Sequence, residues 1–83
     1  IAKMKTEIKS IEAGKNPDDY YIVFDYLGRE RRVVYNHKVR NAIKCEIPLK
    51  IGLKIDVLRS MINSKYKQGE LIEVFKITKV YED

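Results

Sequence analysis

Few residues in this sequence have the chemistry of a catalytic site. His37 is the sole histidine and Cys45 the sole cysteine among 83 residues. A nucleophile and base must lie within hydrogen-bond reach of each other, with a third group to orient the base. His37 lies in the basic run NHKVRN with no acidic neighbour in sequence, and reads as an exposed loop histidine. Cys45 stands between Lys44 and Glu46; a nearby lysine can lower a thiol pKa, but one cysteine in a β-rich chain reads first as half-buried packing. Asp18 and Asp19 are adjacent in GKNPDD, the pattern of turn formers rather than of a working carboxylate pair. The same hexapeptide lacks the glycine spacing and the terminal Lys-Ser/Thr of a phosphate-binding loop. One cysteine and one histidine also exclude an internal disulfide and a zinc cluster built from those ligands. The expectation is a chain without catalysis, metal or cofactor.

Binding chemistry is better represented. The net charge is +5, unevenly placed: within residues 29–54 eight Lys or Arg stand against two Glu, a net of +6, and the remainder is close to neutral. Such a field favours anionic partners: nucleic acid, acidic headgroups or an acidic protein. Beside it, YYIVFDYLGRERRVVYN (residues 20–36) holds five aromatic rings. Single-strand binders combine a basic groove with exposed rings on which bases stack. The candidate anion or nucleic-acid surface is therefore Arg29, Arg32, Lys38, Arg40 and Lys44 with Tyr21, and its worth depends on which rings face water.

That question turns on the elements that carry these residues. Gly28-Arg29 as a two-residue loop places glycine where a type II′ turn needs it and pairs Leu27 with Glu30, Asp25 with Arg32 and Phe24 with Val33. The competing register, with Leu27-Gly28 in the loop, sets Asp25 against Glu30 and gives Leu27 a positive φ, both unfavourable. The first register predicts a core face of Tyr20, Ile22, Phe24, Tyr26, Arg31, Val33 and Tyr35. Only Tyr21 among the rings then lies outside, near a modest apolar patch of Val23, Leu27 and Val34.

Upstream, Ile1, Met4, Ile8 and Ile11 fit helical spacing, but a lone hairpin needs further strands. The strand reading has Met4, Thr6 and Ile8 on one face, with Ile11 joining them through a bulge near Ser10. GKNPDD is a turn. NHKVRNAIKCEIPLKIG is a connector with one short helical turn at residues 39–43, limited by Pro48. GLKIDVLRSMI reads either as a strand opened by Gly52 or as a helix capped by Asp56. NSKYKQGE is a polar turn, and ELIEVFKITKVYE a clear β run.

Residues 1–83 are thus expected to form a single small domain, since a chain this short buries only about 60% of its unfolded surface and supports one core. The fold class is mainly β: a five-stranded OB-like or SH3-like barrel with one helical turn between strands 3 and 4. The longest apolar run, residues 20–24, falls far below the roughly 20 residues of a membrane helix. The chain opens on Ile1 rather than methionine, so a tether or neighbouring domain is expected upstream.

The segments KTEIKSIEAG, YYIVFDYLGRERRVVYN and IPLKIGLKIDVL, in this order over roughly residues 5–60, resemble the small β-barrel domains of unknown function attached to membrane helices in bacteria. The resemblance implies a tethered, non-enzymatic module and carries over no binding residue. Residues and resemblance together lead to the expectation of a non-catalytic interaction or accessory module, cytoplasmic or facing the cytoplasm. Its expected partner is a protein or a membrane surface, with no small-molecule substrate. The alternative is an OB-type binder of single-stranded DNA or RNA.

Overall fold

The computed structural model describes residues 2–82, so the expectation about what precedes Ile1 lies outside the described residues. Five strands and a helix follow in the order β1 (Ala2–Ala13), β2 (Tyr20–Tyr26), β3 (Arg29–Tyr35), α1 (His37–Ile43), β4 (Lys54–Asn63) and β5 (Leu71–Val80). All paired strands are antiparallel, in the sheet order β3-β2-β1-β4-β5. The sheet curls into a half-barrel with the short helix between strands 3 and 4, as the sequence pattern predicts.

The N-terminal segment is a strand because it has two partners to dock on. Its first half pairs with β4 (Met4 with Val57, Thr6 with Ile55) and its second half with β2 (Ile8 with Phe24, Ile11 with Ile22). Between them the register slips by one residue at Lys9. That bulge turns the strand from one half of the sheet to the other and points both Ile8 and Ile11 inward. The turn into β2 closes tightly at Gly14, whose amide donates to the Asp19 carbonyl at 2.8 Å. A Cβ on Gly14 would lie 2.7 Å from that carbonyl oxygen, so no larger residue fits without moving the turn.

The β2–β3 hairpin corrects the predicted register. Tyr26 pairs with Arg29, Asp25 with Glu30, Phe24 with Arg31 and Val23 with Arg32, so Leu27 and Gly28 form the loop, both with positive φ (50° and 79°). This is the geometry of a type I′ turn, whose twist matches that of the flanking strands. The two objections to it are answered locally. Lys9 reaches both carboxylates that the register brings together, Asp25 at 3.3 Å and Glu30 at 3.8 Å. Arg32 turns to Glu12 at 2.8 Å instead of to Asp25. The left-handed conformation of Leu27 still costs about 1–2 kcal/mol. A slip of two residues preserves inside and outside, so the predicted core face survives the error. Val23 faces outward yet is buried between its cross-strand partners Ser10 and Arg32, as an arginine stem can arrange.

The core gathers Ile8, Ile22, Phe24, Val33, Ile55 and Ile77, with Leu53 at the end of the connector. Phe75 packs edge-on against Phe24 (5.2 Å between centroids) and Tyr26 (5.3 Å). The hydrogen-bonded ladder stops at β3 and β5, which approach each other across the open side of the half-barrel. Side chains span that seam. Arg31 of β3 donates to Glu73 of β5 at 2.9 Å, and Arg59 of β4 donates to the other oxygen of the same carboxylate at 2.5 Å.

Residues 56–62 take the strand reading rather than the helical one, because β1 and β5 flank them. A second bulge, at Thr78, keeps Ile77 and Val80 both directed at the core. The described part of β1 reaches only Arg59, while β4 and β5 continue to Asn63 and Leu71. Residues 60–63 and 71–74 therefore project as a two-stranded arm from a molecule measuring 42 × 29 × 21 Å.

Candidate functional site

The residues nominated by charge and aromaticity do not assemble into one surface. Tyr21 and Arg32 share the outer face of the β2–β3 hairpin, since their partners Val34 and Val23 alternate with them along the strands. Arg32 is committed to Glu12, with Glu30 at 3.8 Å, and its guanidinium and the Glu12 carboxylate hold each other ionised: the Glu12 pKa is lowered, chiefly by the hydrogen bond from Arg32. Arg29 sits beside the hairpin tip. Lys38, Arg40 and Lys44 lie on α1 or its end, beyond the other end of the hairpin. At about 3.4 Å per residue, seven-residue strands separate these two groups by some 20 Å. The stripe seen in sequence is two clusters with a neutralised middle. The rings divide only partly as the face assignment predicts: Phe24 and Tyr35 are buried and Tyr26 half-buried, but Tyr20, expected in the core, is exposed at the strand end where the sheet face gives out, and Tyr21, expected to be the one ring outside, is half-buried.

Asp18, Asp19 and His37 have a role that their spacing in sequence concealed. Asn36 caps α1 by accepting from the Val39 amide at 3.1 Å, and its amide group donates to Asp19 at 3.1 Å. Asp18 accepts from the His37 backbone at 3.3 Å and pairs with the His37 ring. The two aspartates thus anchor the helix start to the β1–β2 turn. The bonds from His37 hold the Asp18 carboxyl below the usual carboxylate range. A His–Asp pair resembles part of a nucleophilic relay, but both side chains are exposed and no hydroxyl or thiol bonds to the ring among the described residues. The arrangement is that of a helix anchor.

Between α1, the connector and the ends of β1–β3 lies a cavity of about 940 Å³. Ile11, Ile22, Ile47 and Leu49 give it aliphatic walls, and Arg40 and Lys44 stand at its helical side. These two cations, one helical turn apart, form no ion pair among the described residues. Lys44 ends the helix in the left-handed region (φ 55°, ψ 42°), where its amide bonds back to Arg40 and Asn41. Tyr35 is 8% exposed and lines the same cavity. Its hydroxyl is buried and meets no strong partner among the described residues, only the Cys45 thiol, a weak one; a buried polar group left wholly unpaired costs about 1–3 kcal/mol. Burial drives the Tyr35 pKa well above the usual phenol value, with the Cys45 thiol beside it adding to the effect and the Arg40 charge opposing it. Cys45 itself donates to the Ile47 carbonyl at 3.3 Å.

Two further features lay beyond the reach of local sequence patterns. On the convex face, register aligns Lys3, Leu58 and Lys76 in one row across three strands and Lys5, Asp56 and Lys79 in the next. Asp56 is buried at 6% exposure, accepts from the Tyr81 hydroxyl at 2.8 Å and has Lys3 at 3.8 Å. That bond raises the Tyr81 pKa, and Lys5 and Lys79 lie 4.2 and 4.5 Å from the centre of its ring. The arm, in turn, exposes apolar side chains on both faces: Met61 and Leu71 on the concave side, and the directly paired Ile62 and Ile72 on the convex one. Tyr66, in the loop at its tip, is 97% exposed. The chain matches no protein-family model, and no curated protein or solved structure matches it.

Proposed function

We propose that this chain is a non-catalytic interaction module, an OB-like half-barrel that presents its β4–β5 arm to a protein partner. The observation that carries the reading is the arm itself. A two-stranded ribbon is at best marginally stable in water, and this one leaves Met61, Ile62, Leu71 and Ile72 exposed after the core has been completed elsewhere. Contiguous exposed apolar surface marks a contact site. The OB-like description is supported by the long first strand shared between both halves of the sheet, by the helix following β3, and by the approach of β3 to β5. The resemblance to membrane-attached bacterial barrels supports a tethered setting. The test is chemical crosslinking in the source cell from a photoreactive residue placed at Tyr66. A discrete adduct that disappears in an Ile62→Ser/Ile72→Ser variant supports the reading, and labelling that ignores those substitutions removes it.

A second reading, an OB-type binder of single-stranded nucleic acid, draws on the four lysines around Asp56 and Tyr81. Under it, a labelled oligonucleotide binds at about 50 mM salt and weakens steeply by about 200 mM, with log affinity falling linearly in log salt. Lys5→Gln with Lys79→Gln reduces that slope, whereas an absence of binding at low salt eliminates the reading.

A further inference from the structure

Three observations meet in the cavity beneath α1. Its walls are aliphatic, with Ile11 and Ile22 contributed by the sheet and Ile47 and Leu49 by the connector. Its rim is cationic: Arg40 and Lys44 form no ion pair among the described residues, with Glu46 on the lining and the Asp18 carboxylate within reach of the Arg40 charge. Tyr35 contributes a buried hydroxyl whose hydrogen-bonding neighbour among the described residues is the Cys45 thiol, a weak partner. Each feature is unfavourable on its own: half-buried aliphatic side chains at Ile11, Ile47 and Leu49, two cations held in no close ion pair among the described residues, and a buried hydroxyl served only by a thiol. One occupant relieves all three.

We propose that this cavity binds an aliphatic carboxylate of medium chain length, with its alkyl chain against Ile11, Ile47 and Leu49 and its head between Arg40, Lys44 and the Tyr35 hydroxyl. The head must be an anion because both Arg40 and Lys44 offer only donors, and a carboxylate accepts the two parallel bonds of an arginine fork. It must also accept from a phenol, which a carboxylate oxygen does. The body is an alkyl chain because the walls are branched aliphatic side chains, and the volume of about 940 Å³ lies within the range of small-molecule sites, about 300–1,000 Å³. The Cys45 thiol lies beside the hydroxyl and gives way as the head enters. Lys44 keeps its charge at the rim in a left-handed backbone conformation that glycine would adopt without strain. The site is separate from the arm, so its occupancy does not depend on what the arm contacts.

The probe is decanoate, titrated into the full 83-residue chain and followed by amide proton–nitrogen correlation spectra. Saturable shifts are expected at Ile11, Ile22, Tyr35 and residues 40–49, with decyltrimethylammonium, which reverses the head charge, failing to produce them. Arg40→Gln with Lys44→Gln, both at exposed helix positions, weakens binding about tenfold or more, as expected for charge-assisted bonds. Tyr35→Phe separates ligand from fold: it leaves the melting temperature of the free protein unchanged or raised, because the buried hydroxyl it removes is served only by a thiol, and it lowers decanoate affinity. The proposal is overturned by any of three outcomes: no saturable shift up to about 1 mM, the weak end of specific binding; an equal response to decyltrimethylammonium; or shifts at Met61, Ile62, Leu71 and Ile72 as large as those in the cavity, which would mean adsorption to exposed apolar surface.

Discussion

The molecule contains two long hairpins built on opposite plans. In the β2–β3 hairpin a two-residue turn joins seven-residue strands, and one face carries Ile22, Phe24, Val33 and Tyr35 into the core. In the β4–β5 hairpin the strands are ten residues long, a seven-residue polar loop joins them, and the distal ends lie beyond the described part of β1, with apolar groups on both faces. The first hairpin spends its hydrophobic residues on its own fold. The second keeps several of them for something outside it. One carboxylate couples the two, because Glu73 of the arm takes Arg31 of the first hairpin and Arg59 of its own. A fold organised this way separates stability from display, and substitutions in the two hairpins should fall into different classes.

The sharpest break lies at Phe24, which is fully buried between the hairpins and packs edge-on with Phe75. Phe24→Ala should cost about 3–5 kcal/mol, a large part of the stability of a domain this small. Chemical denaturation of the purified variant should show either a strongly reduced midpoint or no folded baseline. A midpoint close to that of the parent would mean that the first hairpin is not the core.

The seam comes next. The hydrogen bond from Arg59 is the largest influence on Glu73 and, with the one from Arg31, holds its carboxyl below the ordinary value of 4.5 against an opposing effect of burial. A depressed carboxylate contributes stability that is fully present above its unfolded pKa and is lost as pH falls through the folded one. Thermal unfolding should therefore be flat from about pH 7 to pH 5 and should weaken below about pH 4. Glu12 and Asp18 are depressed as well and titrate in the same window, so the seam has to be isolated by substitution. Glu73→Gln should lower the melting temperature at neutral pH by a few degrees and make the acid decline shallower. An unchanged acid profile would show that the seam carries no stability.

How much of this was legible in the sequence depended on the range of the physics involved. Inside and outside on β2 and β3 follow from alternation, and alternation survives a slip of two residues. The register did not follow, because its deciding group, Lys9, lies in a different strand and comes into reach of Asp25 and Glu30 only through the β1 bulge. The bulge itself was readable, since Ile8 and Ile11 can share a face only through one. The short helix was readable as one turn limited by Pro48, but its Asn36 cap and its anchoring by Asp18 and Asp19 were not, because the turn and the helix start meet only after the sheet has formed. The basic residues failed in a related way. Their excess is real in composition, yet Glu12 neutralises Arg32 from another strand, while four lysines outside the apparent basic stretch assemble on the convex face. Charge that is local in sequence was a poor guide to charge that is local in space.

A smaller effect, with the opposite sign, tests the turn. Leu27 is 80% exposed, so replacing it sacrifices almost no burial, and its φ of 50° is one that asparagine tolerates better. Leu27→Asn should raise stability by about 1 kcal/mol, since Asn-Gly is a favoured type I′ pair. In the alternative II′ register, residue 27 would sit in a strand, where asparagine is disfavoured. A gain in the denaturation midpoint therefore reports the register, and a loss would restore the pairing of Asp25 with Arg32.

The smallest effect on the fold is expected where the effect on binding should be greatest. Ile62 and Ile72 face each other across the arm, and both are exposed. Changing both to Ser removes a wet cross-strand contact worth only a few tenths of a kcal/mol to about 1 kcal/mol and takes nothing from the core. The denaturation midpoint should barely move, and native-state amide exchange should show the arm opening far more readily than the strands around Phe24. If the arm were a hidden part of the core, the double substitution would instead resemble Phe24→Ala, with a collapsed midpoint and protection lost throughout the sheet. An arm that unfolds on its own while the half-barrel stands is what a surface maintained for a partner requires, because the partner's contacts then supply the stability that the ribbon lacks alone.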